Sequence, residues 1–272
     1  MNVCVVSWTL GLTAADKVVE KVKALGLDGV QYAGDHRDVR AADLRDRAKA
    51  AGLKIIAIDP FNAGPADPAK ATQDGAIAYY RKVVDFAAEV GSVPVTLQGL
   101  SQWTRNCPDH ASAYQRLLVC CKAVDEYARS RGVRTLYEVC NHYEVPLIHT
   151  ARQCHTLLSD IGSDNVGMIL DSFHMNINEP DPLQTLRDNA RITAIYHISD
   201  SGRGGIGSGH IDFDAHLRAL RENGFTGDVA IEPVLEHLTP SHAPTTDVDR
   251  RALDEAIRRS AQKWRGYVTA AG

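Results

Sequence analysis

The sequence predicts an α/β fold, a single domain closed as a (β/α)8 barrel over residues 1–272, and three observations predict it. Apolar runs of strand length alternate with segments of helical period along the whole chain, eight times in all. Gly26, Gly52, Gly91 and Gly132 close four of the helical segments. The last four apolar runs each end beside an acid or a histidine: TLYEVCN at Glu138, VGMILDSFH at Asp171 and His174, ITAIYHISD at His197, and VAIEPV at Glu232. Strands joined through helices of ten or more residues pair in parallel by right-handed crossovers, and in a barrel their carboxyl ends share one mouth. A doubly wound open sheet is the competing architecture, because periodicity does not tell whether the first and last strands pair. Length favours the barrel, which typically takes about 250 residues, and no linker rich in Pro, Gly and Ser divides the chain.

The elements follow in order. VCVVSW (3–8) reads as the first strand and Thr13 as the N-cap of a helix over 14–26, where Val18, Val19, Val22 and Leu25 recur at helical spacing. GVQYA (29–33), a helix over 42–52 and KIIAIDP (54–60) come next. A helical stretch from 68 to 91 places Ile77, Tyr80, Val84 and Ala88 on one face. VPVTLQG (93–99) precedes a helix over 109–132 with Leu117, Cys121 and Val124 inside. The strands RTLYEVC (134–140) and NVGMILDS (165–172) are separated by a helix over 146–162. A weaker helix over 182–190 leads to the strand 192–200. A helix over 212–224, a strand over 228–234 and an amphipathic helix over 247–268 complete the series.

Composition narrows the partners. With 34 acids against 30 bases the net charge is −4, which gives no electrostatic reason for a nucleic-acid or anionic-membrane partner and favours small solutes. No apolar run approaches the roughly 20 residues of a membrane span, and the amino terminus lacks the basic lead of a signal peptide, so a cytoplasmic location is expected. The six cysteines show no C-x-x-C spacing and read as buried reduced thiols. Helix-rich outer faces suit a homodimer or tetramer.

Two glutamates, one aspartate and one histidine form an oxygen-rich donor set with a single imidazole. That set suits Mn²⁺, Mg²⁺ or Co²⁺ better than a zinc site built on thiolates. Glu138, Asp171, His197 and Glu232 are the candidates; each alone could be an ordinary polar strand end, and the agreement of four successive strands carries the weight. His174, three residues after Asp171, either faces a substrate or caps the following turn. Glu144 and Arg203 are open to the same pair of readings, as substrate ligands or as an ordinary ion pair. Trp8 and Trp103, near the ends of the first and fourth strands, either line a sugar pocket or pack in the core. Gly202, Gly204 and Gly207 make a formal G-x-G-x-x-G, but Ser208, Gly209 and His210 delay the next helix; a flexible substrate-covering loop is the expectation, not a dinucleotide site. No G-x-S-x-G, H-E-x-x-H or Walker pattern occurs.

The motifs E-x-x-N-x-Y-E from Glu138 to Glu144, D-S-F-H-M-N from Asp171, H-x-x-D-x-x-R with G-x-G-H-I-D-F from His197 to Phe213, and the closing Glu232 cover the last half of the chain. There the sequence resembles the D-tagatose and D-psicose 3-epimerase group of the xylose-isomerase-like TIM barrels. The resemblance implies that Glu138, Asp171, His197 and Glu232 ligate a divalent metal, Mn²⁺ first, with Glu138 and Glu232 doubling as the acid–base pair. It implies that Glu144, His174 and Arg203 hold a keto sugar, epimerised at C3 through a cis-enediolate. His142 stands where the motif has arginine, Gln31 where an acid often ends the second strand, and His149 where asparagine is frequent, which leaves a keto-inositol or hydroxypyruvate open as substrate. Two readings of other classes compete: an endonuclease IV-like phosphodiesterase and a non-catalytic sugar-binding barrel. The first needs further metal-binding histidines, whereas His36, His110, His155, His216, His237 and His242 fall on helices or loops away from the strand ends.

Overall fold

The computed structural model describes residues 1–60, 63–238 and 242–270. Among them, strands β1 (Val3–Val6), β2 (Gly29–Ala33), β3 (Lys54–Asp59), β4 (Val95–Thr96), β5 (Thr135–Glu138), β6 (Val166–Asp171), β7 (Thr193–Ile198) and β8 (Asp228–Ile231) run parallel in sequence order. The open-sheet alternative is removed by the closing pair, in which Cys4 of β1 lies opposite Ala230 of β8. Around the strands lie α1 (Ala15–Ala24), α2 (Ala41–Ala51), α3 (Gln73–Gly91), α4 (His110–Ser130), α5 (Ala151–Ile161), α6 (Ser172–Asn178), α7 (Pro182–Asn189), α8 (Phe213–Glu222) and α9 (Asp247–Ala270). None of these helices is long and apolar enough to cross a membrane.

Local chemistry sets the helix ends. Side chains of Thr72, Asp109, Asp181 and Asp212 accept from backbone N–H groups of the first turns of α3, α4, α7 and α8, and Thr150 with Gln153 makes a capping box on α5. Gly52, with φ of 72°, closes α2 in the left-handed region that a side chain disfavours. Three helix starts differ from the expectation. Ala14, not Thr13, precedes α1, and the Thr13 carbonyl instead accepts the Tyr32 hydroxyl. Thr72 captures the start of α3, so Pro68–Lys70 stays a separate 3-10 turn. Thr150 does the same for α5, leaving 146–150 outside the helix.

Two cores result. The larger fills the ring between strands and helices. The smaller plugs the barrel with inward side chains including Cys4, Val6, Ile56, Leu136, Ile169 and Ile195. Polar side chains at the strands' carboxyl ends therefore sit on an apolar floor and open only upward. All six cysteines are unpaired, and Cys107 alone is partly exposed.

Candidate metal centre and its cavity

Glu138 ends β5, Asp171 ends β6, His197 lies one residue before the end of β7, and Glu232 follows β8 with its backbone N–H bonded to the Ile198 carbonyl at 2.9 Å. Register levels them: Asp171 lies opposite His197, and His197 opposite Ala230, two residues before Glu232. Because strand side chains alternate with period two, these four point into the mouth together. One donor atom from each lies within 4.8 Å of every other, and all four side chains are buried. His197 Nδ1 faces the group, 3.1 Å from Glu138 Oε1, 3.7 Å from Glu232 Oε2 and 3.8 Å from Asp171 Oδ2. On the far side of the ring, Nε2 meets Gln31 Oε1 at 2.9 Å. An amide oxygen only accepts, so Nε2 carries a proton and donates it.

The electrostatics are those of a crowded acid cluster. Burial is the largest influence on the His197 imidazole and lowers it, but Glu138, Glu232 and Asp171 outweigh burial and raise the group to about 10. Burial pushes the Glu232 carboxyl well above its usual range, with Glu138 and Asp171 adding to it and His197 and Arg203 opposing. Burial acts the same way on Asp171, yet His174, His197 and Arg203 together hold it below the usual range. Asp171 Oδ2 and Glu232 Oε2 are buried without a hydrogen-bond partner. A buried acceptor left unmet costs about 1–3 kcal/mol, more when charged, and here two such oxygens face one imidazole nitrogen. Three carboxylates and one imidazole aimed at a common point fit a divalent cation: this is a buried metal-binding cluster.

Neighbouring side chains hold the cluster. The Trp8 indole donates to Glu232 Oε1 at 2.7 Å, and the Gln98 amide donates to Glu138 Oε2 at 3.0 Å. Asp171 Oδ1 caps α6 by accepting the His174 N–H, which leaves Oδ2 for the cluster. Asn141 donates to His174 Nδ1 at 2.8 Å, so the ring's protonated Nε2 points toward Glu138 Oε1, 3.9 Å away. Arg203 pairs with Glu144 and approaches Glu232 Oε2 at 3.8 Å, its guanidinium 4.9 Å above the Phe173 ring and 5.5 Å from the Trp8 ring.

The backbone of Arg203 is left-handed, with φ of 62°. Its loop is braced, not flexible as the glycine content suggests. The Asp200 carboxylate accepts backbone N–H groups of Ser201, Gly207 and Ile211, and the Arg203 carbonyl receives Val234 N–H at 2.7 Å. Glycine is required at 209, where a Cβ would stand 2.5 Å from Asp200 Oδ1.

Above the cluster opens a cavity of about 830 Å³, into which Trp8, Trp103, Glu144, His174 and Arg203 all project. Trp103 is buried and its indole donates to the Ala63 carbonyl, so it is both wall and core. His142 and His149 lie outside the lining, His142 packing on the exposed Tyr143 and edge-on to His149. Sequence reasoning missed Asp59 and Gln98; it singled out Gln31 only as standing in place of an acid on the second strand, and Asn141 only as a member of the E-x-x-N-x-Y-E motif. Asp59 closes the apolar run KIIAID as Glu232 follows VAI, so the signal that found the late acids was present on the third strand as well. Burial and the neighbouring Glu138 push its carboxyl up to about 6, against hydrogen bonds from Thr96 and Gln98.

Residues 19–263 match the sequence family described as Xylose isomerase-like TIM barrel. The ketose 3-epimerase of Arthrobacter globiformis is 28% identical over 225 residues, 79% of this chain and 75% of that one. The 3-dehydro-D-guloside 4-epimerase of Escherichia coli is 24% identical over 239 residues, 84% of this chain and 91% of that one. The crystal structure of a D-psicose 3-epimerase in the presence of D-fructose superposes with a TM-score of 0.83, covering 98% of this chain and 99% of that one at 22% identity, a likeness of fold.

Proposed function

The chain belongs to the xylose isomerase-like TIM-barrel family, and from that premise we propose that it is a ketose 3-epimerase working through Glu138 and Glu232. Relatives across the family comparison are sugar epimerases and isomerases, and the finer assignment rests on one observation. Two buried glutamates flank a single imidazole nitrogen at 3.1 and 3.7 Å, each held by a separate donor from the first half of the chain, Gln98 and Trp8.

A proton α to a carbonyl is too weakly acidic for a carboxylate acting alone. Held by Glu138, Asp171, His197 and Glu232, a divalent cation, Mn²⁺ before Mg²⁺ or Co²⁺, supplies Lewis-acid polarisation of the ketose carbonyl. The chain's own groups do the rest. One glutamate takes the C3 proton and the other returns one from the opposite face, inverting that carbon with no redox cofactor. Trp8 keeps Glu232 Oε1 turned away from solvent, and Gln98 does the same for Glu138 Oε2. Arg203 and the His174 Nε2–H meet the negative charge that develops on the substrate oxygens, and Glu144 locks Arg203 in place. Trp8 and Trp103 offer apolar faces to the carbon side of the sugar.

The test is proton exchange at C3 of D-fructose, D-tagatose and D-psicose in deuterated water with added Mn²⁺. Exchange accompanied by formation of the C3 epimer is the expected result. Absence of exchange with every ketose, together with cleavage of abasic DNA, would transfer the assignment to a phosphodiesterase.

A further inference from the structure

One wall of the cavity is not used by the chemistry above. Asp59 stands at the end of β3, opposite β7 in the ring of eight strands. Its Oδ1 accepts the Thr96 hydroxyl at 2.7 Å and the Gln98 amide at 3.2 Å, the same amide that reaches Glu138. Among the described residues no donor meets Oδ2. Two further groups lining the same cavity, the Tyr79 hydroxyl and Gln98 Oε1, are buried with no hydrogen-bond partner. Buried polar atoms are almost always paired in a folded protein, so this hydroxyl and this amide oxygen, beside a partly buried carboxylate whose Oδ2 is open to the cavity, call for a ligand that both donates and accepts. Sugar hydroxyls do both.

We propose that Asp59 is a specificity-determining residue that, with Gln98 and Tyr79, binds a free hydroxyl on C5 or C6 of the ketose, the end remote from the metal-binding cluster. The enzyme then takes uncharged ketoses of five or six carbons. A three-carbon hydroxy-carbonyl leaves this wall unmet, and a ketose phosphate brings like charge against the carboxylate. Of the cavity's two other arginines, Arg37 is already paired with Asp35, while Arg105 donates to the neutral Gln102 and keeps its charge, so the phosphate arm of the experiment weighs the carboxylate against that cation. This inference rests on the ketose reading of the site.

The experiment compares wild type, Asp59→Asn and Asp59→Leu, each first shown by thermal unfolding to be folded. All are loaded with Mn²⁺ and assayed for C3 exchange on D-psicose, its 5-deoxy and 6-deoxy analogues and its 6-phosphate. Loss of one charge-assisted hydrogen bond predicts a KM raised about tenfold or more in Asp59→Leu, with the effect on kcat much smaller and Asp59→Asn intermediate. Wild type should disfavour one deoxy analogue by a similar factor and the phosphate by more, and Asp59→Leu should lose the discrimination between sugar and deoxy sugar. A fall in kcat at unchanged KM, or equal discrimination in wild type and variant, overturns the proposal and leaves Asp59 as a support for Glu138 through Gln98. If wild type exchanges no ketose, the functional reading fails separately, and calorimetric titration with D-psicose decides the role of Asp59. Binding weakened about tenfold in Asp59→Leu supports that role; equal binding, or none to wild type, removes it.

Discussion

The barrel carries carboxylates at both ends and treats them in opposite ways. At the floor, Asp125 accepts the Thr135 hydroxyl and the Asn165 amide, and Asp228 accepts the Asn2 backbone and side chain and the Lys54 ammonium. At the mouth, Asp171 and Glu232 each keep a buried oxygen that nothing meets. The floor acids tie strand starts together and serve the fold. The mouth acids work against it, and a chain retains such a conflict where a ligand resolves it. A carboxylate's partners, more than its burial, separate a structural acid from a working one.

Substitutions sharpen that contrast, and the largest effect belongs at the mouth. Glu138→Gln and Glu232→Gln should each lower C3 exchange by about 10²-fold or more, as expected of general acid–base groups, while metal-free Glu232→Gln melts no lower than wild type. A near-normal exchange rate in either variant breaks the two-glutamate assignment. Next comes Gln31→Leu, which removes the acceptor that fixes the His197 ring; calorimetric Mn²⁺ titration should show affinity reduced by about 10- to 100-fold. Unchanged affinity would mean that the three carboxylates orient the imidazole unaided.

A third effect tests a buried polar pair belonging to neither end. Tyr196 and His216 Nδ1 meet at 2.6 Å, and burial lowers the His216 imidazole to about 4. The unfolded chain, with an ordinary histidine near 6.5, therefore binds more protons than the folded one between these values. Stability from this group is full above pH 6.5 and falls as the pH drops toward 4, by on the order of 2 kcal/mol. Urea unfolding at pH 7 and pH 4.5 should show a steeper loss in wild type than in His216→Gln; parallel losses would deny the pair this role. The smallest effect is at the floor. Asp125→Asn should cost about 1 kcal/mol and lower the melting temperature by about 2–4 °C, with turnover per folded molecule unchanged. A loss of turnover there would erase the distinction between the ends.

How much of this was readable in the chain differs by feature. Strands of a closed parallel barrel are buried on both faces, so VGMILD at 166–171 is buried throughout and stands out as an apolar run against polar helices. The four late strand ends were legible for the same reason, since an ionisable residue interrupting such a run has few structural uses. Gln31 was legible as a polar residue on the second strand, but not its bond to His197, which spans the barrel from β2 to β7 next to a register shift between Val30 and Gln31 that leaves no period to detect. Asp59 carries the same signal, an acid closing the apolar run KIIAID, but no motif of the family resemblance lies on the third strand. The loop after β7 misled because glycine content tells that a backbone is free to bend, not whether a carboxylate such as Asp200 has gathered its N–H groups. Asp171 likewise gave no hint that it would start a helix as well as face the cluster.

The hydrogen bond between Trp8 and Glu232 crosses the seam where the barrel's first and last strands join. All four cluster residues come from the second half of the chain, while Trp8, Gln31 and Gln98, which hold three of them in position, come from the first. During synthesis, then, no competent centre exists until the eighth strand has left the ribosome and docked on the first. Neither half expressed alone is expected to turn over sugar, and a break placed anywhere between them separates the reacting groups from their supports.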